Sequence, residues 1–101
     1  MIKTLKKLNA ISNYWEIIKF IADKEFTAVT DIYIQLRLDQ SKVSQILYKL
    51  RRYEIVSFYK NGKLRIYYIH EDFFTFVEKF NHAIHRIEFS RSDIRDNIEK
   101  S

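Results

Sequence analysis

The chain has no cysteine, no proline and a single glycine, Gly62, in 101 residues. Without cysteine there is no disulfide, no thiolate metal site and no cysteine nucleophile, and the redox compartment is left open. No apolar run approaches the roughly 20 residues that span a bilayer. The N-terminus, Met1 to Leu8, alternates lysine with apolar residues and lacks the apolar centre of a signal peptide, so a cytoplasmic protein is expected. There is no glycine-rich phosphate loop and no spacing that suggests a Ser-His-Asp arrangement, so an enzyme is not expected.

What remains is 47% apolar and 16% aromatic, which suits one globular domain over residues 1–101. So high an aromatic load in a small domain also suits surface hidden against a partner subunit. The net charge is +5 and is unevenly placed. Residues 37–65 hold eight basic side chains and two acids, whereas the rest of the chain holds ten basic and eleven acidic. One contiguous segment therefore carries the excess positive charge. A polyanion is its natural partner; a solvated basic face is the plainer reading.

Apolar spacing predicts the elements. Ile2, Leu5, Leu8 and Ile11 mark a short helix with Lys3, Lys6 and Lys7 outside. Ser12 or Asn13 is placed to cap a second helix reaching about Lys24, with Tyr14, Ile17, Ile18 and Ile21 on one face. Thr27 or Thr30 suits the cap of a third, short helix ending near Leu36. Asp39 suits the cap of a fourth, Gln40 to about Tyr53, whose inward face is Val43, Ile46, Leu47 and Leu50.

Two β-rich stretches follow, Ile55–Tyr59 and Leu64–Ile69, joined through Asn61-Gly62. That dipeptide predicts a type I′ turn, with Phe58 opposite Arg65 and Val56 opposite Tyr67. Glu71–Phe89 reads as a long helix with Phe73, Phe76, Phe80, Ala83 and Ile87 in a heptad-like seam. The polar tail, residues 90–101, either extends this helix or frays. The predicted class is mainly α with a β-hairpin wing: a winged helix-turn-helix.

The stretch from Ala28 to Leu50, with "DQSKVSQILYKL" at its end, then Ile55-Val56, the Asn61-Gly62 turn and Ile66-Tyr67-Tyr68, resembles the ArsR-type winged-helix repressors. The resemblance covers roughly residues 5–89. Tyr33 departs from the small residue usual between the two helices, and Arg37 from the glycine common in the turn. A left-handed backbone at Arg37 costs about 1 kcal/mol relative to glycine. The resemblance implies a dimeric DNA-binding repressor. Its first and last helices would form the homodimer, and its fourth would enter the major groove of double-stranded DNA at an inverted repeat.

On this reading Gln40, Ser41, Ser44 and Gln45 are candidates to read base edges, with Tyr48 for sugar or thymine methyl. Lys42, Lys49 and Arg52 are candidates for phosphates, and Lys60, Lys63 and Arg65 for the backbone or minor groove beside the wing. The family's metal sensors carry Asp-x-His-x10-His-x-x-Glu in the last helix. Asp72, His85 and Glu88 match three positions, Phe74 stands at the second, and His82 is an alternative ligand. No bound cofactor is expected; zinc would have to use Asp72, His82, His85 and Glu88. The competing reading is a winged-helix protein–protein interaction module without specific DNA binding.

Overall fold

A computed structural model describes residues 2–81. Of the residues named above, Met1, His82, Ala83, His85, Ile87, Glu88 and Phe89 lie outside them, as does the tail. The order is α1 (Ile2–Asn13), α2 (Trp15–Lys24), β1 (Thr27–Ala28), α3 (Val29–Gln35), α4 (Gln40–Arg52), β2 (Val56–Asn61), β3 (Leu64–Ile69) and α5 (Glu71–Lys79). The hairpin is part of a three-stranded antiparallel sheet in the order β1-β3-β2.

Several expected boundaries move, each for a local reason. Ser12 and Asn13 do not cap α2; α1 runs through both and the break falls at Tyr14, at φ −120° and ψ 29°. The hydrogen-bond ladder crosses the break, with Tyr14 N donating to Ala10 O at 3.0 Å and Ile18 N to Tyr14 O at 3.1 Å. Thr27 is not a cap either: it is buried in β1 opposite Tyr67, while Thr30 lies inside α3 and Ala28 stands at its N-cap. Two residues are too few for strand alternation to show in a sequence. Asp39 does cap α4, its Oδ2 accepting from Lys42 N at 3.0 Å.

With one glycine available, the chain reverses direction on other residues. Glu25, Arg37 and Glu54 all have positive φ, at 67°, 55° and 58°. Arg37 N donates to Ile34 O at 3.3 Å and Leu38 N to Tyr33 O at 2.9 Å, the paired bonds of a Schellman motif closing α3. Glu54 N to Arg51 O at 3.0 Å and Ile55 N to Leu50 O at 2.9 Å repeat the motif behind α4. At Glu25 the bond from Phe26 N to Lys24 O, 2.8 Å, makes a γ-turn of the rare positive-φ kind.

The hairpin register differs from the type I′ expectation. Asn61 pairs with Leu64, so the two turn residues are Gly62 and Lys63. Gly62 has φ 64° and Lys63 does not share the positive φ that type I′ needs at both positions. Glycine at the first position suits type II′ instead. Phe58 therefore faces Tyr67, Val56 faces Ile69, and Arg65 faces Lys60. The shift is two residues, so every side chain keeps its expected face.

The core joins α1 and α2 to the helix pair and the sheet. Ile11, Ile18, Ile21, Ile32, Val43, Leu47, Leu50, Ile55 and Val56 are fully buried. All four residues predicted for the inner face of α4 are buried. Phe73 is buried too, so it belongs to its own domain's core rather than to the outer seam expected for it. Phe76 and Phe80 stack with centroids 4.6 Å apart. The helix expected to run unbroken from 71 to 89 is interrupted at Phe80, at φ −115° and ψ 35°. His70 begins α5, its Nδ1 accepting from Asp72 N at 3.0 Å. The Lys7 ammonium lies 4.4 Å from the Phe76 ring centroid. Burial pushes the Lys7 amine below its usual range, opposed by the nearby charges of Glu54 and Asp72.

Three outcomes follow for urea unfolding. Glu54→Gly relieves a left-handed side chain and should raise stability by about 0.5–1 kcal/mol, while Gly62→Ala imposes one and should cost about 1 kcal/mol. Because the folded Lys7 releases its proton at lower pH than the unfolded chain, stability should rise with pH just below 10.5, the usual lysine value. Lys7→Met should weaken that rise.

Candidate nucleic-acid interface

Burial of one side of α4 turns the other side outward. Gln40, Ser41, Lys42, Ser44, Gln45, Tyr48, Lys49 and Arg52 are all exposed. Tyr48 is 54% exposed, which is high for a ring on a helix that packs so fully on its other side. The Asp39 cap places Gln40 and Ser41 in the first turn, where a helix end approaches a ligand most closely.

Two open clefts flank this outward face. The first, about 460 Å³, lies between the start of α4 and the wing, and is lined by Gln40, Ser44, Lys63 and Arg65 along with Val29 and Thr30. The second, about 1410 Å³, lies between α4 and α1. There Ser41, Gln45, Tyr48, Lys49 and Arg52 face Lys3, Lys6 and Lys7. Ser44 borders both clefts and so sits at the centre of the face. The predicted base-reading residues are thus one surface, and the predicted wing cations Lys63 and Arg65 adjoin it. Lys42 and Lys60 are exposed but line neither cleft.

The wing is tied to α4 through Phe58. The guanidinium carbons of Arg51 and Arg65 each lie 4.9 Å from its ring centroid, one reaching from the helix and one from β3. Such contacts contribute about 0.5–1 kcal/mol each at exposed sites. Arg51 and Arg52 also approach Tyr48, at 5.8 and 6.0 Å. Among the described residues, no Asp or Glu side chain lies within 4.0 Å of a lysine or arginine nitrogen. The lysines and arginines of residues 37–65 are therefore not tied up in close ion pairs with acids of the described residues.

Sequence reasoning missed two contributions. Arg51 was counted in the charge of the segment but given no role; its i, i+3 spacing from Tyr48 was the available signal. Lys3, Lys6 and Lys7 were read simply as the outside of a helix. Their spacing shows one basic face but not that this face borders α4. As for zinc, Asp72 is exposed at the start of α5, and Phe74, at the second ligand position, is 62% exposed and offers no donor atom. No group of three His, Cys, Asp or Glu residues suited to a metal occurs among the described residues.

No protein-family model matches the sequence, and no curated protein matches it significantly. Solved structures do. Reduced HlyU from Vibrio cholerae is 25% identical, with a TM-score of 0.64 over 86% of this chain and 83% of its own. NolR from Sinorhizobium fredii is 27% identical, with a TM-score of 0.61 over 86% of this chain and 78% of its own. The antimony-specific transcriptional repressor AntR shares the fold at 14% identity, with a TM-score of 0.65 over 94% of this chain and 79% of its own. No helix among the described residues is long and apolar enough to cross a membrane. With the helix pair, the capped outward helix and the basic hairpin all in place, the chain has the winged helix-turn-helix fold of ArsR-type transcriptional regulators.

Proposed function

We propose that this protein is a sequence-specific, double-stranded-DNA-binding transcriptional regulator, acting in the cytoplasm as a homodimeric repressor. One observation carries the reading. The exposed face of α4 presents amides, hydroxyls and a phenol between two clefts whose linings hold more cations than acids. Amides and hydroxyls have both donors and acceptors for base edges, and the cations meet phosphates on either side. No arginine stands in the first turns of α4, so bidentate guanine reading is not its main device. A connector module would want apolar anchors on this face, and it has only Tyr48.

HlyU of Vibrio vulnificus, 22% identical, is a transcriptional regulator and supports the fold underlying this reading. Dimerisation would use α1 and the region of Phe76 and Phe80, leaving both α4 faces free for half-sites about one helical turn apart. We further propose that the regulator takes no signal from zinc through the Asp72 pattern, because Phe74 removes a ligand.

Selection from randomised duplex DNA tests the reading, and an inverted repeat should be recovered. Recovery of no motif would favour the interaction module instead. Gln45→Ala should relax preference at one base position by about 1–3 kcal/mol. Lys63→Ala should weaken all sequences alike and reduce the salt slope by about 1 per chain. Zinc at micromolar concentration should leave affinity for the selected site unchanged, measured by fluorescence anisotropy.

A further inference from the structure

The cleft between α1 and α4 is as basic as the wing, although α1 lies outside the basic segment of the sequence. Its lining holds Lys3, Lys6, Lys7, Lys49 and Arg52 against one acid, Glu54. Lys3 and Lys6 are exposed, whereas Lys7 is half-buried and held over Phe76. On α1 the spacing from Lys3 to Lys6 and Lys7 is i, i+3, i+4, which keeps these side chains on one face of the helix. That face turns toward α4 rather than away from it. Lys3 and Lys6 therefore line, across an open cleft, the same space as Gln45 and Tyr48, on the side of α4 away from the cleft that the wing lines.

Duplex DNA has two phosphate backbones bordering each major groove. If α4 lies in the groove, the wing shoulder can meet only one of them. Resting on the regulator reading above, we propose that the cleft between α1 and α4 seats the second backbone, with Lys3 and Lys6 as phosphate ligands. Charge complementarity decides the occupant. A second copy of this chain would bring a net charge of +5 to a lining of five cations, whereas DNA brings only negative charge. Besides the dimer contact proposed above, α1 then has two further tasks: its apolar side holds Ile11 in the core and its lysine side extends the DNA surface.

The test compares the wild type, Lys3→Ala/Lys6→Ala and Lys3→Arg/Lys6→Arg on the selected duplex and on an unrelated duplex, from low to moderate salt. Each lost phosphate contact lowers the slope of log K against log[salt] by about 0.9. The alanine pair should therefore lower the slope by about 2 per chain and weaken binding about tenfold or more near physiological salt. The weakening should be equal on both duplexes, since phosphate contacts carry no base information. The arginine pair should keep the wild-type slope. An unchanged slope in the alanine pair, with selective binding intact, overturns the inference and leaves the regulator reading standing. Loss of the dimer in the alanine pair by sedimentation also overturns it, because the lysines would then serve an interface between copies. Failure of the wild type to bind duplex DNA at low salt overturns the regulator reading and the inference with it.

Discussion

The rotation of α4 about its own axis is the constraint on which the rest depends. Val43, Ile46, Leu47 and Leu50 are buried along one side, and each fully buried side chain of this size contributes about 1.5–3 kcal/mol. A turn of one residue would drive Ser44 toward the core and bring Ile46 and Leu50 out. The outward face is therefore a consequence of the inward one. Ile55 links this helix to the elements beyond it: its N–H donates to Leu50 O and its carbonyl accepts from His70 N, both at 2.9 Å. One fully buried residue thus joins the end of α4 to the strand leaving it and to the start of α5.

The wing inherits its position from the same packing. β3 is the central strand, with β1 on one side and β2 on the other, and Tyr67 is buried at its middle. A hairpin held only by its own pairing would be marginal in water. Here the middle strand is fastened from both sides and packs against α2 and α3. The tip can then carry Lys60, Lys63 and Arg65 at a defined distance from α4, and Phe58 adds a direct tie through Arg51 and Arg65.

Much of this was legible in the sequence, and the failures share a cause. The inner face of α4, the Asp39 cap and the hairpin strands follow from spacing and side-chain chemistry within a few residues. The register of the hairpin did not, because Asn61-Gly62 and Gly62-Lys63 are both workable turns and the two registers keep every side chain on the same face, so the apolar pattern does not choose between them. β1 was invisible because Thr27 and Ala28 become a strand only where β3 offers an edge. The place of Phe73 in the core was equally hidden, since a seam and a core residue show the same periodicity. The lysines of α1 were plain as charges, but their neighbour α4 is some 40 residues away in sequence, and no local pattern records that proximity.

Among the described residues β2 has a partner on one side only, so there its outer backbone groups form an open sheet edge. Beside it, on one face of the sheet, the rings of Phe26, Tyr59 and Tyr68 meet with centroids 5.9–6.4 Å apart, and Phe26 and Tyr59 are well exposed. A free edge next to exposed aromatic surface invites a strand from another molecule. The charge at the hairpin tip opposes parallel pairing of two such edges, which would bring Lys60, Lys63 and Arg65 of each chain together. The same cations thus disfavour in-register parallel stacking of copies along this edge, and their protection should be strongest at low ionic strength, where the repulsion is least screened.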